Sequence, residues 1–176
     1  DLSQFSQVEA GHITVAQEPV DVRLIATELV EEYRAQAEAK GLAITCNMPD
    51  TLHVIASDST RIRQVLGNLV SNAVKYTDGG EVRVQVAGRR GGDAPGPGRW
   101  VTLTVADTGI GIARDQQHLL FREFSRIAPG AGPGIGLGLA ISQRVASALG
   151  GCIMVRSEAG QGATFTLWLP ADEQEG

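Results

Sequence analysis

The stretch from residue 63 to residue 77 reads RQVLGNLVSNAVKYT and lies inside one uninterrupted helical pattern. At about 100° per residue, its polar side chains fall within one arc of roughly 100°. They are Asn68, Asn72, Lys75 and Tyr76. The adjacent arc is apolar and contains Ile62, Leu66, Leu69, Val70 and Ala73. Because Asp58 is a typical N-cap, we predict a helix from about Ser59 to Lys75 with one buried face and a polar face beside it.

Two glycine-rich motifs favour a binding site over a solvated helix edge, which would explain this polar arc equally well on its own. The motif DTGIGI (residues 107–112) directly follows a predicted strand, where a carboxylate can accept a hydrogen bond from a ligand and glycines let the backbone approach it. The motif GIGLGL (residues 134–139) leads into a predicted helix, whose free N–H groups and dipole favour phosphate. Neither a Rossmann fingerprint nor a P-loop is present.

The remaining pattern predicts alternating helices and short strands. We expect Pro19 and Asp21 to open a helix that ends at Gly41. Further helices are predicted at 114–121 and 137–149, and a glycine- and proline-rich hairpin loop at 88–99. Strands are predicted at 43–48, 53–56, 81–87, 100–106, 152–157 and 163–169.

Composition excludes several classes of protein. The 176 residues carry a net charge of −5 and 43% hydrophobic residues, which indicates a packed core and gives no electrostatic footprint for nucleic acid. No apolar run is long enough to span a membrane, and no signal-peptide pattern is present, so no membrane contact is expected within this stretch. The cysteines, Cys46 and Cys152, lie in apolar strand-like segments and are expected to be reduced.

With these motifs in this order, the chain resembles the catalytic ATP-binding domain of sensor histidine kinases. Residues 63–77 are similar to the N box of that family, 107–112 to its G1 box, 121–124 to its F box and 136–141 to its G2 box. Residues 162–165, Gly-Ala-Thr-Phe, match its terminal pattern. The resemblance implies a Bergerat fold. This is an α/β (α+β) two-layer sandwich, with about three helices on one face of a mixed, mainly antiparallel sheet of about five strands.

The resemblance also implies roles for individual residues. Asn72 would coordinate Mg²⁺, Asn68 would face the phosphates or a metal-bound water, Lys75 would lie by the phosphates, and Tyr76 would pack on the nucleotide. Asp107 would accept the adenine amino group with Thr164 nearby. Further ATP contacts are expected from Gly109, Gly111, Ile112, Phe124, Gly136, Leu137, Gly138 and Leu139. A mobile lid is expected from about Ser125 to Ile135; it is short, and Ile135 replaces a frequent threonine.

The implied function is transfer of the γ-phosphoryl group of Mg·ATP to a histidine on a separate dimerisation domain. Residues 1–17 are expected to be a remnant of the dimerisation helix and a linker, 18–171 the ATP-binding domain and 172–176 a tail. Expected partners are the protein's own dimerisation helices and the receiver domain of a response regulator, in a cytoplasmic location. The alternatives are a catalytically degenerate nucleotide- or partner-binding module and a gyrase-type ATPase. The ATPase would carry a glutamate at the position of Asn68, and a carboxamide cannot act as a general base.

Overall fold

The structure, a computed structural model, describes residues 13–52, 54–109, 135–157 and 160–171, with the backbone alone at 135–138. The helices in these ranges are α1 (Val22–Ala39), α2 (Ser59–Tyr76) and α3 (Ile135–Ala148). The strands are β1 (Glu18–Val20), β2 (Leu42–Asn47), β3 (Ile55–Ser57), β4 (Gly80–Arg90), β5 (Arg99–Asp107), β6 (Cys152–Ser157) and β7 (Ala163–Pro170).

Five strands form one sheet in the order β2-β4-β5-β7-β6. The β2–β4 pair is parallel, and the other three neighbouring pairs are antiparallel. The register places Asp107, the last residue of β5, opposite Ala163, the first residue of β7. The expected fold, a mixed and mainly antiparallel five-stranded sheet with three helices, is therefore confirmed.

Alternation along the strands decides which face of the sheet meets the helices. On β4, β5 and β7 the apolar side chains that belong to the core between sheet and helices occupy every second position. They are Val82, Val84, Val86, Val101, Leu103, Val105, Leu167 and Leu169. All three helices pack on this face, and α2 lies between α1 and α3, in contact with both of them and with β4, β5 and β7. The polar face of α2 is thus held beside the ends of the central strands.

Two sequence-based predictions of local structure differ from the structure. Pro19 does not open a helix but lies in β1, which pairs with β3 as a separate two-stranded ribbon. Asp21 is the N-cap of α1 and accepts a hydrogen bond from the Arg23 backbone N–H. Residues 88–90 and 99–101 pair with each other, so the predicted loop at 88–99 is confined to 91–98. In each case pairing with a partner strand overrides a local turn or helix signal.

Within the described ranges, none of the helices is both long and apolar enough to cross a membrane. The helix predicted at residues 114–121 lies outside the described residues.

Candidate functional site

The N-terminus of α2 is fixed by acidic side chains and by the segment that precedes α1. Asp58 is the N-cap: its Oδ1 accepts from the Arg61 backbone N–H at 3.1 Å, and its Oδ2 accepts from the Ala16 backbone N–H at 2.8 Å. Glu18 Oε2 accepts from the backbone N–H and the hydroxyl of Ser59 at 3.0 and 2.9 Å. These carboxylates satisfy N–H groups that have no partner inside the helix. Residues 13–17, expected to be linker, are therefore hydrogen-bonded to α2.

The C-terminus of α2 is capped by a lysine from α1. Lys40 Nζ donates to the carbonyl oxygens of Val74 and Lys75 at 2.7 and 2.9 Å. A cation at this end of a helix satisfies free carbonyl groups and interacts favourably with the helix dipole. Both ends of the helix that carries the proposed ligand-binding residues are consequently held in place.

The polar face of α2 turns towards α3 at Asn68. Asn68 is half-buried, and its Nδ2 donates a hydrogen bond of 2.8 Å to Ser142 Oγ on α3. One turn further on, Asn72 is half-buried as well, and its Nδ2 is buried without a hydrogen-bond partner among the described residues. Lys75 is exposed, and its Nζ lies 5.8 Å from the centre of the Tyr76 ring. The polar arc therefore offers one carboxamide whose NH₂ group is occupied, one whose NH₂ group lacks a partner among the described residues, and one exposed ammonium.

Asp107 ends β5 and is half-buried near the C-terminal end of α2. Its Oδ1 accepts from the Gly109 backbone N–H at 2.8 Å. Burial raises the pKa of this carboxyl above its ordinary value, and the backbone N–H groups of Gly109 and Ala163 and the Thr77 hydroxyl offset only part of that effect. The fully buried Thr77 hydroxyl lies close enough to act on this pKa, yet it completes no hydrogen bond of good geometry within the described residues. The carboxylate, which is only partly buried, keeps the capacity to accept a further hydrogen bond from a ligand.

Glycines at this end of the sheet allow backbone segments to approach one another closely. A Cβ on Gly109 would lie 2.8 Å from the Tyr76 carbonyl oxygen and 2.9 Å from Thr77 Oγ1. A Cβ on Gly162, which has φ +83°, would lie 2.0 Å from the Asp107 carbonyl oxygen. Any larger residue at either position must displace the backbone beside Asp107. Gly109 and Gly162 therefore allow the backbone to pack closely around Asp107. Of these two glycines, only Gly109 was predicted as a site residue.

The backbone of residues 135–138 forms the first turn of α3. The first four N–H groups of a helix have no partner within it, so these residues present free donors and the positive end of the helix dipole. The predicted phosphate-binding residues Gly136, Leu137 and Gly138 are all in this turn. Leu139 has its side chain buried in the hydrophobic core instead.

Thr164 is a predicted site residue that the fold does not bring to Asp107. The register pairs Thr164 with Ala106, and directly paired residues share a face of the sheet, whereas Asp107 and its partner Ala163 face the helices. Thr164 instead lines a groove on the helix-free face with Thr104, Thr166 and other residues. The group of β7 that does reach the Asp107 carboxylate is the Ala163 backbone N–H.

Gly111, Ile112, Phe124 and the expected lid at 125–134 lie outside the described residues.

Sequence reasoning did not identify Ser142, Lys40 or Gly162 as parts of the site. Gly162 could have been identified from the sequence, because it is the first residue of the Gly-Ala-Thr-Phe pattern at residues 162–165. Ser142 and Lys40 carry no local signal because their contacts are made across 74 and 34–35 residues of sequence.

These positions define a class of protein, an α/β domain with a half-buried carboxylate at the end of a central strand and a helix whose first-turn N–H groups can hold anions. The chain belongs to the family of histidine kinase-, DNA gyrase B-, and HSP90-like ATPases, whose model matches residues 57–173. The family that the sequence motifs predicted is thereby confirmed.

The relatives of this chain are sensor proteins. It is 36% identical to the aerobic respiration control sensor protein ArcB of Escherichia coli (strain K12), over 97% of this chain and 22% of that protein. It is 34% identical to the virulence sensor protein BvgS of Bordetella bronchiseptica, over 95% of this chain and 14% of that protein. The crystal structure of full-length ShkA in complex with AMPPNP matches with a TM-score of 0.83 at 32% identity, over 99% of this chain and 35% of that one. The chain thus spans only a small part of these relatives, and it is an ATPase-type domain of the sensor histidine kinase kind.

Proposed function

We propose that this chain binds Mg·ATP between α2 and α3 and transfers the γ-phosphoryl group to a histidine on the dimerisation helices of a sensor kinase. The observation that carries the proposal is the Asn72 side chain, whose Nδ2 is buried and lacks a partner among the described residues. Leaving a buried donor without a partner costs about 1–3 kcal/mol. A side chain kept at that cost on the polar face of α2 supports a ligand-binding role.

The residues present fit a magnesium ion that is held mainly by its nucleotide. The described ranges contain no cluster of His, Cys, Asp and Glu side chains that could hold a metal. Mg²⁺ in nucleotide sites needs few protein ligands, because phosphate oxygens and waters fill most of its shell. The Asn72 carboxamide oxygen is a suitable hard ligand. When bound, the ion would neutralise charge that develops on the phosphates during transfer.

The other groups would bind and orient the nucleotide. The Asp107 carboxylate would accept the adenine amino N–H, and the absence of a side chain at Gly109 would let the base approach the end of α2. The free N–H groups of residues 135–138 would donate to phosphate oxygens. Lys75 is exposed and has a mobile stem, so its ammonium can follow the phosphates. Tyr76, at the end of α2, would pack on the nucleotide.

Transfer to a protein acceptor is favoured over hydrolysis because the site offers no general base on α2. The position one turn before Asn72 holds Asn68, whose Nδ2 is already engaged by Ser142. A carboxamide cannot take a proton from water at neutral pH. The acceptor histidine, the dimerisation helices that carry it and a response-regulator receiver domain would come from other parts of the same signalling system. We place that system in the cytoplasm, where ATP is available.

The experiment compares the wild-type chain with Asn72→Ala and with the control Ser147→Ala, whose side chain is exposed near the C-terminal end of α3. ATP affinity is measured by calorimetry with and without Mg²⁺, and transfer is measured with radiolabelled ATP and dimerisation helices added in trans. Asn72→Ala is expected to stay folded and to transfer about a hundredfold more slowly or worse, since a preorganised electrostatic group is typically worth that much. Ser147→Ala should behave as wild type.

Two results would contradict the proposal. The first is absence of wild-type binding at millimolar ATP, which would support a degenerate module. The second is transfer by Asn72→Ala at the wild-type rate, which would reduce Asn72 to a helix-surface residue.

A further inference from the structure

The hydrogen bond between Asn68 and Ser142 is the direct side-chain link from α2 to α3 at the proposed site. Ser142 is 2% exposed, and its Oγ accepts from Asn68 Nδ2 at 2.8 Å. Asn68 lies one turn before Asn72 on α2, and Ser142 lies one turn after Gly138 on α3. The bond therefore joins the helix of the proposed metal ligand to the helix of the proposed phosphate-binding N–H groups.

The two ends of a carboxamide have opposite hydrogen-bonding character. The NH₂ group donates and the carbonyl oxygen accepts, so a carboxamide that rotates freely presents either end to a ligand. At Asn68 the NH₂ end is engaged by a buried oxygen. The carbonyl oxygen is then the end left to face the space between the helices. Such an oxygen matches a donor, such as a water bound to a metal ion, and would repel a bare phosphate oxygen.

We infer that Ser142 is a positioning residue, which holds Asn68 with Oδ1 directed to a donor in the bound Mg·ATP and fixes the spacing of α2 and α3. The inference rests on the proposed function, because it assigns the orientation that this site requires. Ser142 itself does not touch the nucleotide and acts through Asn68. Replacing it with alanine would free the carboxamide to rotate and would disturb the reacting geometry more than the binding of ATP.

The test is a double-mutant cycle on Ser142→Ala and Asn68→Ala, with Ser147→Ala as the control because Ser147 is exposed on the same helix. Binding of Mg·ATP and the rate of transfer to dimerisation helices at saturating ATP are both measured on folded variants. Ser142→Ala should lower the transfer rate about tenfold and change ATP affinity by less than about twofold, as expected for one hydrogen bond that acts on geometry. In the Asn68→Ala background the same change should have almost no further effect.

Side-chain NMR gives a readout that does not depend on transfer. The ¹⁵N signals of the Asn68 carboxamide, assigned by their loss in Asn68→Ala, should shift in Ser142→Ala and not in Ser147→Ala, and Mg·ATP should perturb them in the wild type. Absence of wild-type transfer would overturn the proposed function, and these signals would still decide the role of Ser142. Unchanged Asn68 signals in Ser142→Ala, or losses of transfer that add fully in the double variant, would overturn the inference.

Discussion

Asp107 shows how one residue combines a binding role with a cost to the fold. Its carboxylate is held by the backbone N–H groups of Gly109 and Ala163, yet burial still raises its pKa. A carboxyl whose folded-state pKa lies above its unfolded value binds its proton more tightly when folded. Keeping Asp107 ionised therefore costs stability above the folded-state pKa, and this cost disappears as the pH falls below the unfolded pKa. A charge retained against this cost is consistent with selection for ligand binding.

The first prediction concerns Asp107→Asn. ATP affinity should fall by at least about tenfold, because an amide turned the wrong way offers a donor to the adenine amino group and the lost bond is worth roughly 1.5–3 kcal/mol. The free energy of unfolding at neutral pH should not decrease, because the buried charge is removed. Calorimetric titration and urea unfolding measure the two quantities. Unchanged ATP affinity in the folded variant would refute the assignment of Asp107.

At the scale of elements, side chains from other parts of the chain complete the ends of helices and the edges of the sheet. On the outer strand β6, the Gln143 side chain donates to the Ile153 carbonyl oxygen at 3.3 Å and accepts from its N–H at 3.2 Å. On the opposite outer strand β2, Arg34 donates to the Ile44 carbonyl oxygen at 3.1 Å. These contacts occupy groups that an edge strand would otherwise offer to another chain. Each is made by a helix on the core face, so helix packing also protects the sheet.

The second prediction concerns the N-cap of α2. Burial by itself raises the pKa of Asp58, but the backbone N–H groups of Ala16, Arg61 and Thr60 outweigh it, and the pKa is lowered. Stabilisation by this carboxylate is therefore complete above its unfolded pKa of about 3.9 and is lost as the pH falls through the lower, folded-state pKa. Asp58→Ala should lower the free energy of unfolding by about 1–2 kcal/mol at neutral pH. The difference from wild type should shrink in acid.

The control for Asp58 is Asp93→Ala in the loop at 91–98, where the carboxylate is 80% exposed and forms only a surface ion pair with Arg156. Exposed ion pairs contribute little to the free energy of unfolding, so Asp93→Ala should unfold like the wild type at every pH. Denaturant unfolding from pH 3 to pH 7 separates the two variants. A loss in Asp58→Ala that does not depend on pH would show that the carboxylate charge is not what stabilises α2.

At the scale of the whole molecule, the fold places the proposed site at one end of the sheet, between α2 and α3, and the part of the chain that the structure describes contains no histidine. The chain has three histidines, at positions 12, 53 and 118. All three lie outside the described residues. In sequence, none is followed by the acidic residue and nearby proline that the resemblance implies for a phosphorylated histidine. The acceptor is therefore expected on a separate domain.

The third prediction is that the isolated chain binds Mg·ATP but shows no acid-labile self-phosphorylation. Adding dimerisation helices, linked or in trans, should produce acid-labile and base-stable label on those helices, because transfer needs an imidazole in line with the γ-phosphate. Radiolabelled ATP with acid and base treatment checks both statements. Acid-labile label on any histidine of the chain itself would contradict the assignment of the acceptor to another domain.

The sequence by itself determined the elements whose signals are local. The N-cap at Asp58 and the apolar period fixed α2 to within a residue of its bounds, and alternation identified the buried face of β4. The five family-like motifs in their order along the chain were enough to identify the family, which the match of the family model to residues 57–173 confirms. Such signals are readable because hydrogen bonding within a helix and side-chain alternation along a strand depend only on neighbouring residues.

Only the tertiary structure decided which distant residues meet. Pro19 entered a strand because β3 was there to pair with it, and Thr164 fell on the helix-free face because the β5–β7 register sets Ala163 against Asp107. Ser142 reached Asn68, and Lys40 reached the end of α2, through the packing of helices that are far apart in the chain. Register and helix packing are set by the burial of whole faces, and a shift of one residue in a strand exchanges those faces. Strand register and helix packing therefore cannot be read from a local sequence pattern.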